Sequence, residues 1–320
     1  MQGLVTVFGG AGFVGSQVVR ALAKRGHRVR VASRRPERAY RMRMLGDVGQ
    51  IEILQANVRA PDSLLRALDG AQGCVNLVGV LFESGRQKFD SVHADGARHI
   101  ADAAVQAGVT RLVHISAIGA DAASAARYGR SKAQGEAAAL GVFPAATILR
   151  PSIVFGQGDG FFNRFAQMAS QSPVLPLIGG GATRFQPVFV GDVAAAVVNA
   201  LHDPKSAGAT YELGGPGVFT FKALLELICR ETGRRPLLLP IPFAAAGLMG
   251  ALGDIQAAIM PPFLTSDQVA SLRADNVVAA GALGLADLGV QPTSIEAIIP
   301  SYLYRFRKGG QYADAVASGI

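Results

Sequence analysis

The stretch Gly9-Gly10-Ala11-Gly12-Phe13-Val14-Gly15 decides the fold class. It follows a run of β-branched and aromatic residues, Leu4-Val5-Thr6-Val7-Phe8, and precedes a stretch of helical composition. In this arrangement Gly9 permits a tight turn, Gly12 lets phosphates approach the backbone, and Gly15 lets the helix lie close to the strand. The pattern predicts a strand, a phosphate-binding turn and a helix whose free N–H groups face an anion.

The rest of the chain extends this strand-and-helix order. Short β-rich runs alternate with Ala-rich stretches, which predicts parallel strands joined by right-handed crossovers. After Arg150-Pro151 the order loosens, and a strand at Val188–Val190 leads to a helix capped by Asp192. We expect an α/β protein with a doubly wound parallel sheet, a Rossmann fold, in residues 1–150, and a smaller C-terminal α/β lobe, partly interleaved with the core, in residues 151–320. The strands predicted in the first part are Leu4–Phe8, Val29–Ala32, Ile51–Leu54, Cys74–Leu77, Leu112–Ile115 and Thr147–Leu149.

Composition restricts the class of protein. Half of the 320 residues are hydrophobic, but no apolar run reaches the roughly 18 residues that a membrane span needs. The N-terminal sequence has neither the basic nor the apolar segment of a signal peptide, so we expect a cytoplasmic protein. Cys74 and Cys229 are far apart in sequence and no ligand cluster accompanies them, so we expect free thiols and no metal.

The net charge of +8 is concentrated early in the chain. Ten basic residues and one acidic residue lie between Arg20 and Arg43. Such a segment is typical either of a nucleic-acid surface or of a solvated face beside a phosphate site. Because no nucleic-acid-binding motif accompanies the charge, we favour the second interpretation and expect no nucleic-acid partner.

The end of the second predicted strand indicates which dinucleotide fits. Proteins that prefer NAD place an Asp or Glu there, on the ribose hydroxyls. This chain has Ser33 and Arg34, which can donate hydrogen bonds to a 2′-phosphate and neutralise it. The residues therefore predict NADP(H) as the cofactor.

Tyr128 and Lys132 resemble the Y-x-x-x-K element of the short-chain dehydrogenase/reductase (SDR) superfamily. Four residues apart, they share a helix face, so the ammonium lies beside the phenol and can also hold the nicotinamide ribose. SDR enzymes also carry a hydroxyl in the loop after the fifth strand, where this chain has Ser116. Ser116 comes early in that loop; if Ile118 occupies the polarising position, one donor to the developing oxyanion is missing. Tyr128, Lys132 and Ser116 are the candidate catalytic residues.

More of the chain resembles one branch of that superfamily, the SDR-fold, NADPH-binding accessory subunit (39-kDa type) of respiratory complex I, in a bacterial form. The resemblance extends from residue 3 to about residue 300. It is carried by Asn76-Leu77-Val78-Gly79, Ser131-Lys132-Ala133-Gln134-Gly135-Glu136, Arg150-Pro151-Ser152-Ile153-Val154-Phe155-Gly156, Phe161-Phe162-Asn163 and Gln186-Pro187-Val188-Phe189-Val190-Gly191-Asp192-Val193.

This resemblance implies a nucleotide that is held structurally, without an established substrate. It also implies complex I subunits as partners and a peripheral position on the inner face of the cytoplasmic membrane. The Asn57-Val58 pair departs from the more usual Asp-Val at the adenine, although an amide still accepts and donates hydrogen bonds there. The implied cofactor contacts are Gly9, Gly12, Phe13, Val14, Gly15, Ser33, Arg34, Asn57, Val58, Leu77, Val78, Gly79, Tyr128, Lys132, Pro151, Ser152 and Ile153.

The apolar stretch Pro240–Phe263 allows two interpretations. It is either core beneath the second lobe, or a docking patch for another subunit or for the membrane interface, as the resemblance implies.

Three hypotheses for function follow. The leading one is the complex I accessory subunit. The rival is a free-standing NADP(H)-dependent reductase or epimerase in which Tyr128 is the general acid and base and Lys132 tunes it. A third is an NADP-sensing regulator outside complex I. They differ in whether Tyr128 turns over a substrate and in which partners the chain meets.

Overall fold

The computed structural model describes residues 3–257 and 259–310, and the chain divides into two units. Unit 1 comprises Met1–Pro151, Val190–Leu213 and Val278–Gln291. Unit 2 comprises Ser152–Phe189, Gly214–Val277 and Pro292–Ile320. The chain therefore passes into unit 2 after Pro151 and returns twice to unit 1.

The strands and helices alternate through most of unit 1. The strands are β1 (Leu4–Phe8), β2 (Arg28–Ser33), β3 (Ile51–Gln55), β4 (Gly73–Asn76), β5 (Arg111–Ile115), β6 (Thr147–Pro151), β7 (Val154–Phe155), β8 (Val174–Ile178), β9 (Arg184–Phe185), β10 (Val188–Phe189), β11 (Thr210–Leu213), β12 (Phe219–Thr220) and β13 (Leu237–Ile241). The helices are α1 (Phe13–Lys24), α2 (Pro61–Leu68), α3 (Asp95–Gln106), α4 (Arg127–Val142), α5 (Phe162–Gln171), α6 (Val190–His202), α7 (Phe221–Thr232), α8 (Phe243–Gln256), α9 (Ser266–Ser271), α10 (Ile295–Ile298) and α11 (Pro300–Leu303).

A seven-stranded sheet forms the centre of unit 1. Its order is β3-β2-β1-β4-β5-β6-β11, and every neighbouring pair is parallel. The chain builds outward from β1 to β3 and then restarts on the other side of β1 with β4. That reversal is the doubly wound order of a Rossmann fold, and it opens a crevice at the carboxyl ends of β1 and β4, where such sheets bind ligands. The predicted fold is confirmed.

Burial explains why the inner strands are continuous apolar runs. Val5, Val7, Val29 and Val31 are at most 1% exposed, because helices cover both faces of a parallel sheet. One group of helices contains α1 packed against α6, and another contains α3 packed between α2 and α4. All six strands predicted before residue 150 form, with ends shifted by no more than two residues.

The predicted helix cap at Asp192 is wrong. Strand β10 ends at Phe189 and α6 begins at Val190, so Asp192 lies inside the first helical turn. Val190 is 3% exposed and Val193 is fully buried. Burial of these valines outweighs the usual preference of Asp for the cap position, and the helix begins without an intervening turn.

Unit 2 is built around aromatic side chains and three two-stranded sheets. β7 pairs with β10 and β8 with β13 in parallel, whereas β9 pairs with β12 antiparallel. Phe155, Phe162 and Phe221 are at most 2% exposed. Phe155 and Phe162 meet edge to face, with ring centroids 6.0 Å apart. This favourable ring geometry adds to the area that the rings bury.

A buried carboxylate holds the start of α5. Asp159 is 3% exposed, and its Oδ1 accepts the backbone N–H of Phe162 at 2.6 Å. The Tyr302 hydroxyl donates to Oδ2 at 2.8 Å, which joins α11 to the same group. Burial raises the pKa of Asp159, while these hydrogen bonds oppose the rise.

Helix α8 differs from a typical surface helix in which residues it turns toward the protein. Its small residues face inward: a Cβ on Gly250 would lie 2.7 Å from the Ser266 backbone, and one on Gly253 would lie 2.9 Å from the Leu264 carbonyl carbon. Several of its large residues face outward, with Leu248 at 74% exposure and Leu252 at 69%. The interpretation of this stretch as core is therefore wrong for Leu248 and Leu252, whereas Phe243 does pack against core residues. Among the described residues, no helix has the length and apolar character needed to cross a membrane.

Candidate functional site

The glycine turn after β1 has the geometry that its sequence predicts. Gly9 adopts φ 79°, a left-handed conformation that favours glycine. A Cβ on Gly15 would lie 2.6 Å from Gly10 Cα, so only glycine lets α1 approach the turn so closely. A Cβ on Gly9 would also lie 3.0 Å from the Leu77 carbonyl, because the turn after β4 passes beside it.

The start of α1 offers free backbone donors. Gly12 is the N-cap, and no side chain caps the helix. The first helical N–H groups, those of Phe13, Val14 and Gly15, lack intrahelical acceptors, and the positive end of the helix dipole lies with them. A pyrophosphate fits this arrangement of a bare helix end and glycines that admit close approach.

The carboxyl end of β2 carries a cationic cluster. Ser33 is the last residue of β2, and its Oγ accepts the backbone N–H of Arg35 at 3.2 Å. Partial burial lowers the pKa of Arg34, and the nearby charges of Arg35, Arg59 and Arg38 lower it further. Within residues 3–257 and 259–310, no carboxylate forms an ion pair with any of these arginines. The cluster therefore suits an anionic ligand.

The loop after β3 is held in place by local hydrogen bonds. The Asn57 N–H donates to Ser63 Oγ at 2.9 Å, and Asn57 Oδ1 accepts the N–H of Arg59 at 3.1 Å. The carbonyl of Val58 accepts a hydrogen bond from His99 Nδ1 at 2.8 Å. The side chain of Asn57, which replaces the usual Asp, thus stabilises its own turn. This role is structural.

Lys132 lies on α4 at the carboxyl end of β5. It is 5% exposed, and its Nζ donates to the Ile115 carbonyl at 2.8 Å. Burial lowers the pKa of Lys132 to about 8, although Glu136 opposes the shift. Tyr128 lies one turn earlier on the same helix and is partly exposed. The structure therefore places both residues of the Y-x-x-x-K pair on α4, one turn apart.

An ion-pair network fixes the orientation of α4. Glu136 is 6% exposed and accepts two hydrogen bonds from Arg150, at 2.8 and 2.6 Å. Arg150 also lies 3.6 Å from Glu212 on β11. Hydrogen bonding to Glu136 raises the pKa of Arg150. The bidentate pair joins α4 to β6 and holds Lys132, one turn away, at the sheet edge.

Two residues of the loop after β5 bear on whether a substrate oxygen would find a hydrogen-bond donor: Ser116, which carries a hydroxyl, and Ile118, which is apolar. Ser116 is 4% exposed, and within the described part of the chain its Oγ has no hydrogen-bond partner. Ile118 is 8% exposed, and its N–H donates to the Pro151 carbonyl at 3.0 Å. A buried hydroxyl without a partner costs free energy, so Ser116 is suited to a bound ligand. Ile118 offers no side-chain donor.

The remaining predicted residues divide between the units. Leu77, Val78 and Gly79 follow β4, and Pro151 ends β6, all at the carboxyl edge of the seven-stranded sheet. Ser152 and Ile153 belong to unit 2. There the Ser152 hydroxyl lies 2.7 Å from Asn276 Oδ1, which is a structural contact.

His93 also lies beside Tyr128, although no sequence motif marks it. It is 2% exposed, and its ring meets the Tyr128 ring edge to face at 5.5 Å. A π-helical turn, Asp90–Ala94, orients it. Helical periodicity cannot place a residue in such a turn, because the turn breaks the 3.6-residue repeat.

Together these residues fit a nicotinamide dinucleotide. The glycine turn and α1 would hold the pyrophosphate, the β2 end and the Asn57 loop the adenosine, and Lys132 the second ribose. A nicotinamide dinucleotide supplies hydride transfer when it is bound. Among the described residues, no cluster of three metal-ligating side chains accompanies the site.

Comparisons with known proteins agree with this architecture. Residues 5–214 match the family model described as the NAD dependent epimerase/dehydratase family. The chain is 19% identical to a triphenylmethane reductase from Citrobacter sp., covering 93% of this chain and 99% of that one, with a TM-score of 0.73. It is 21% identical to an NADPH-dependent quinone oxidoreductase from Escherichia coli in complex with NADPH, covering 93% and 98%, with a TM-score of 0.71. These structures show the shared fold.

Relatives of higher identity define the family more narrowly. The mitochondrial NADH dehydrogenase (ubiquinone) 1 alpha subcomplex subunit 9 of Arabidopsis thaliana is 37% identical over 97% of this chain and 80% of its own length. The protein of the same name in Mus musculus is 36% identical over 92% and 78%. A ceramide reductase of Caulobacter vibrioides is 31% identical over 79% and 78%. The chain belongs to the NAD dependent epimerase/dehydratase family and, with the Arabidopsis and Mus relatives, to the family of the alpha subcomplex subunit 9 proteins of NADH dehydrogenase (ubiquinone).

Proposed function

We propose that this chain is an NADPH-binding accessory subunit of respiratory complex I, peripheral to it on the inner face of the cytoplasmic membrane. The nucleotide is held structurally or as a regulator, with little or no turnover. The observation that carries the proposal is a dinucleotide site whose loop after β5 has the apolar Ile118 two positions after the buried Ser116. Relatives named as NADH dehydrogenase subunits, at 36% and 37% identity, support the partner.

The choice of NADPH over NADH rests on the end of β2. An adenosine ribose at this edge would place its 2′ oxygen near Ser33 and Arg34, where NAD proteins carry a carboxylate. The arginines whose charges act on Arg34 form no ion pair with a carboxylate in the described part of the chain, and a 2′-phosphate would offset their charge. The uncharged 2′-hydroxyl of NADH would not offset the positive charge of this cluster.

Low turnover follows from the chemistry of the β5 loop. A reductase needs a donor beside Tyr128 to stabilise charge on the substrate oxygen, and loss of such a donor lowers rates by about 10² to 10³. Ser116 precedes Ile118 by two residues and is 4% exposed. Its hydroxyl would contact the bound nucleotide, and the substrate oxygen would lack its donor.

Contact with the membrane interface is assigned to the segment Pro240–Phe263. Ile255 near the end of α8 is 71% exposed, and Ile259 just after the helix is 89% exposed. Arg164 lies over the Phe263 ring at 5.3 Å and Arg273 over the Phe243 ring at 4.8 Å. Aliphatic side chains flanked by guanidinium groups suit a shallow position among acyl chains and anionic headgroups. Such a position lies along the interface and does not span it.

The proposal is tested by gentle detergent extraction of membranes followed by affinity purification of this chain. We expect respiratory subunits to copurify, and NADPH to be released when the purified complex is denatured. Recovery of the chain from the soluble fraction alone, without any respiratory subunit, would contradict the assignment. NADH in place of NADPH would contradict only the nucleotide preference.

A second candidate function is a free-standing NADP(H)-dependent reductase or epimerase. Two observations favour it: the 31% identity to a ceramide reductase, and the retained pair of Tyr128 and Lys132. In this role Tyr128 would transfer a proton to or from the substrate oxygen while Lys132 keeps its orientation. Oxidation of NADPH by the purified chain with long-chain ketone substrates, abolished by Tyr128→Phe, would establish it. A rate equal to the substrate-free rate would exclude it for those substrates.

A further inference from the structure

His93 joins two parts of the nucleotide site. Its Nε2 accepts the backbone N–H of Val80 at 3.0 Å, at the end of the turn after β4. Its Nδ1 lies 2.9 Å from Ser131 Oγ on α4. The Ser131 hydroxyl in turn donates to the Tyr128 carbonyl at 2.8 Å. One imidazole therefore connects the Leu77–Val80 turn to the helix that carries Tyr128 and Lys132.

These contacts fix the protonation of the ring. Because an N–H is always a donor, Nε2 must be the acceptor in the Val80 bond, and the ring proton lies on Nδ1. The Ser131 hydroxyl uses its own proton toward the Tyr128 carbonyl, so it accepts from Nδ1. Burial and the Lys132 charge lower the pKa of His93 to about 3, which agrees with a neutral ring. Both nitrogens are thus committed.

Aromatic rings and small residues pack around His93. Phe89 stacks on His93 at a centroid distance of 5.4 Å and meets Tyr128 at 5.9 Å. A Cβ on Gly79 would lie 3.5 Å from His93 Nε2, and one on Gly135 would lie 3.1 Å from the His93 carbonyl carbon. The π-helical turn that carries His93 is a rare backbone form that often occurs at functional sites.

We propose that His93 is a positioning residue for the nicotinamide half of the bound nucleotide. It sets the turn after β4 and the Tyr128–Lys132 face of α4 at a fixed separation, and the nicotinamide riboside lies between them. This inference rests on the proposed nucleotide binding. The adenosine half lies at Ser33, Arg34 and Asn57, none of which His93 contacts, so the two halves of the ligand should respond differently to substitution.

The test compares two substitutions and two ligands. His93→Phe keeps the ring but removes both hydrogen bonds, whereas His93→Gln supplies one acceptor and one donor at a similar spacing. Affinity is measured by titration for NADPH and for 2′,5′-ADP, which contains only the phosphorylated adenosine half. We expect His93→Phe to weaken NADPH binding about tenfold, as the loss of about 1.4 kcal/mol implies. Binding of 2′,5′-ADP should change less than twofold, and His93→Gln should recover most of the NADPH affinity.

Each outcome has a distinct meaning. Equal NADPH affinity in His93→Phe and the unsubstituted chain would overturn the inference, as would equal losses for both ligands. An unsubstituted chain that binds neither ligand would overturn the proposed function itself. If His93→Phe fails to fold, Ser131→Ala removes one of the two bonds at a smaller structural cost. It should weaken NADPH about threefold and leave 2′,5′-ADP unchanged, and an unchanged NADPH affinity would again overturn the inference.

Discussion

Helices α1 and α8 use small residues in the same way but turn their large residues in opposite directions. In α1, Gly15 meets the backbone of the glycine turn, and Leu22 is fully buried against the sheet. In α8, Gly253 meets the backbone near Leu264, yet Leu252 is 69% exposed. Close helix packing thus requires glycine in both, whereas the burial of large apolar side chains does not follow from hydrophobicity alone. The direction in which the large side chains point indicates which helix face packs in the core and which is available to contact a partner.

The largest effect is expected from a methyl group at the close approach of α1. Gly15→Ala places its Cβ against Gly10 Cα and the Gly9 carbonyl, which are backbone atoms that cannot move aside. We expect a loss of more than about 3 kcal/mol in the free energy of unfolding, together with loss of nucleotide binding. Gly247→Ala in α8 is the matched control, because its Cβ meets nothing within 4 Å. Urea unfolding of both variants checks this, and equal stabilities would refute the packing argument.

A second prediction separates the large side chains of the same two helices. Leu22→Ala should destabilise the chain by about 3 kcal/mol, because it leaves a cavity in the core. Leu252→Ala should change stability by less than about 0.5 kcal/mol, since that side chain is already exposed. For binding to anionic vesicles, measured by flotation, we expect the substitutions in α8 to have the larger effect. Leu252→Ala and Leu248→Ala together should reduce vesicle binding, and if they leave it unchanged the membrane role of α8 is wrong.

Acid should change the contributions of buried histidines in unit 1 and of Asp159 in unit 2 in opposite directions. Burial lowers the pKa of His93 and His114 in unit 1 to about 3, below the unfolded value of 6.5. Between pH 6.5 and pH 3 the unfolded chain binds more protons, so stability falls as the pH falls. Each histidine contributes at most about 1.4 kcal/mol per pH unit within that window, so the two together give a loss of about 2.5 kcal/mol between pH 7 and pH 5.5.

Asp159 in unit 2 has the opposite sign. Its pKa is raised, so the folded state binds the extra proton and that residue's contribution rises as the pH falls. Hydrogen exchange at pH 7 and pH 5.5, corrected for intrinsic rates, should show unit 1 losing protection first. Earlier loss in unit 2 would contradict this assignment of charge states.

The smallest effect concerns ligand affinity at the adenosine end. Arg34→Ala should weaken NADPH about tenfold, or about 1.4 kcal/mol, because one cation of the cluster is lost. NADH affinity should stay within about twofold, since its ribose carries no 2′-phosphate. Titration with both nucleotides checks the difference. Equal losses would mean that Arg34 stacks on adenine and does not select the phosphate.

Much of the fold and part of the site follow from local sequence. The Gly9–Gly15 turn, the strands around it and the Tyr128–Lys132 spacing each depend on contacts within a few residues, and the structure forms all of them where the pattern predicts. Asp192 is the exception among the local signals. Its capping preference is worth about 1 kcal/mol, which the burial of neighbouring valines exceeds.

The sequence by itself determined the parallel α/β order, the phosphate turn and the absence of a carboxylate after β2, because these are encoded by residue type and short spacing. Only the tertiary structure decided that His93 contacts both the β4 turn and α4, since those elements are distant in sequence and the π-helical turn hides its orientation. It also decided that Leu248 and Leu252 of α8 point outward. Both features depend on which surfaces the folded chain brings together. The hydrophobic effect favours burial of any apolar side chain, but it does not specify against which surface that side chain packs.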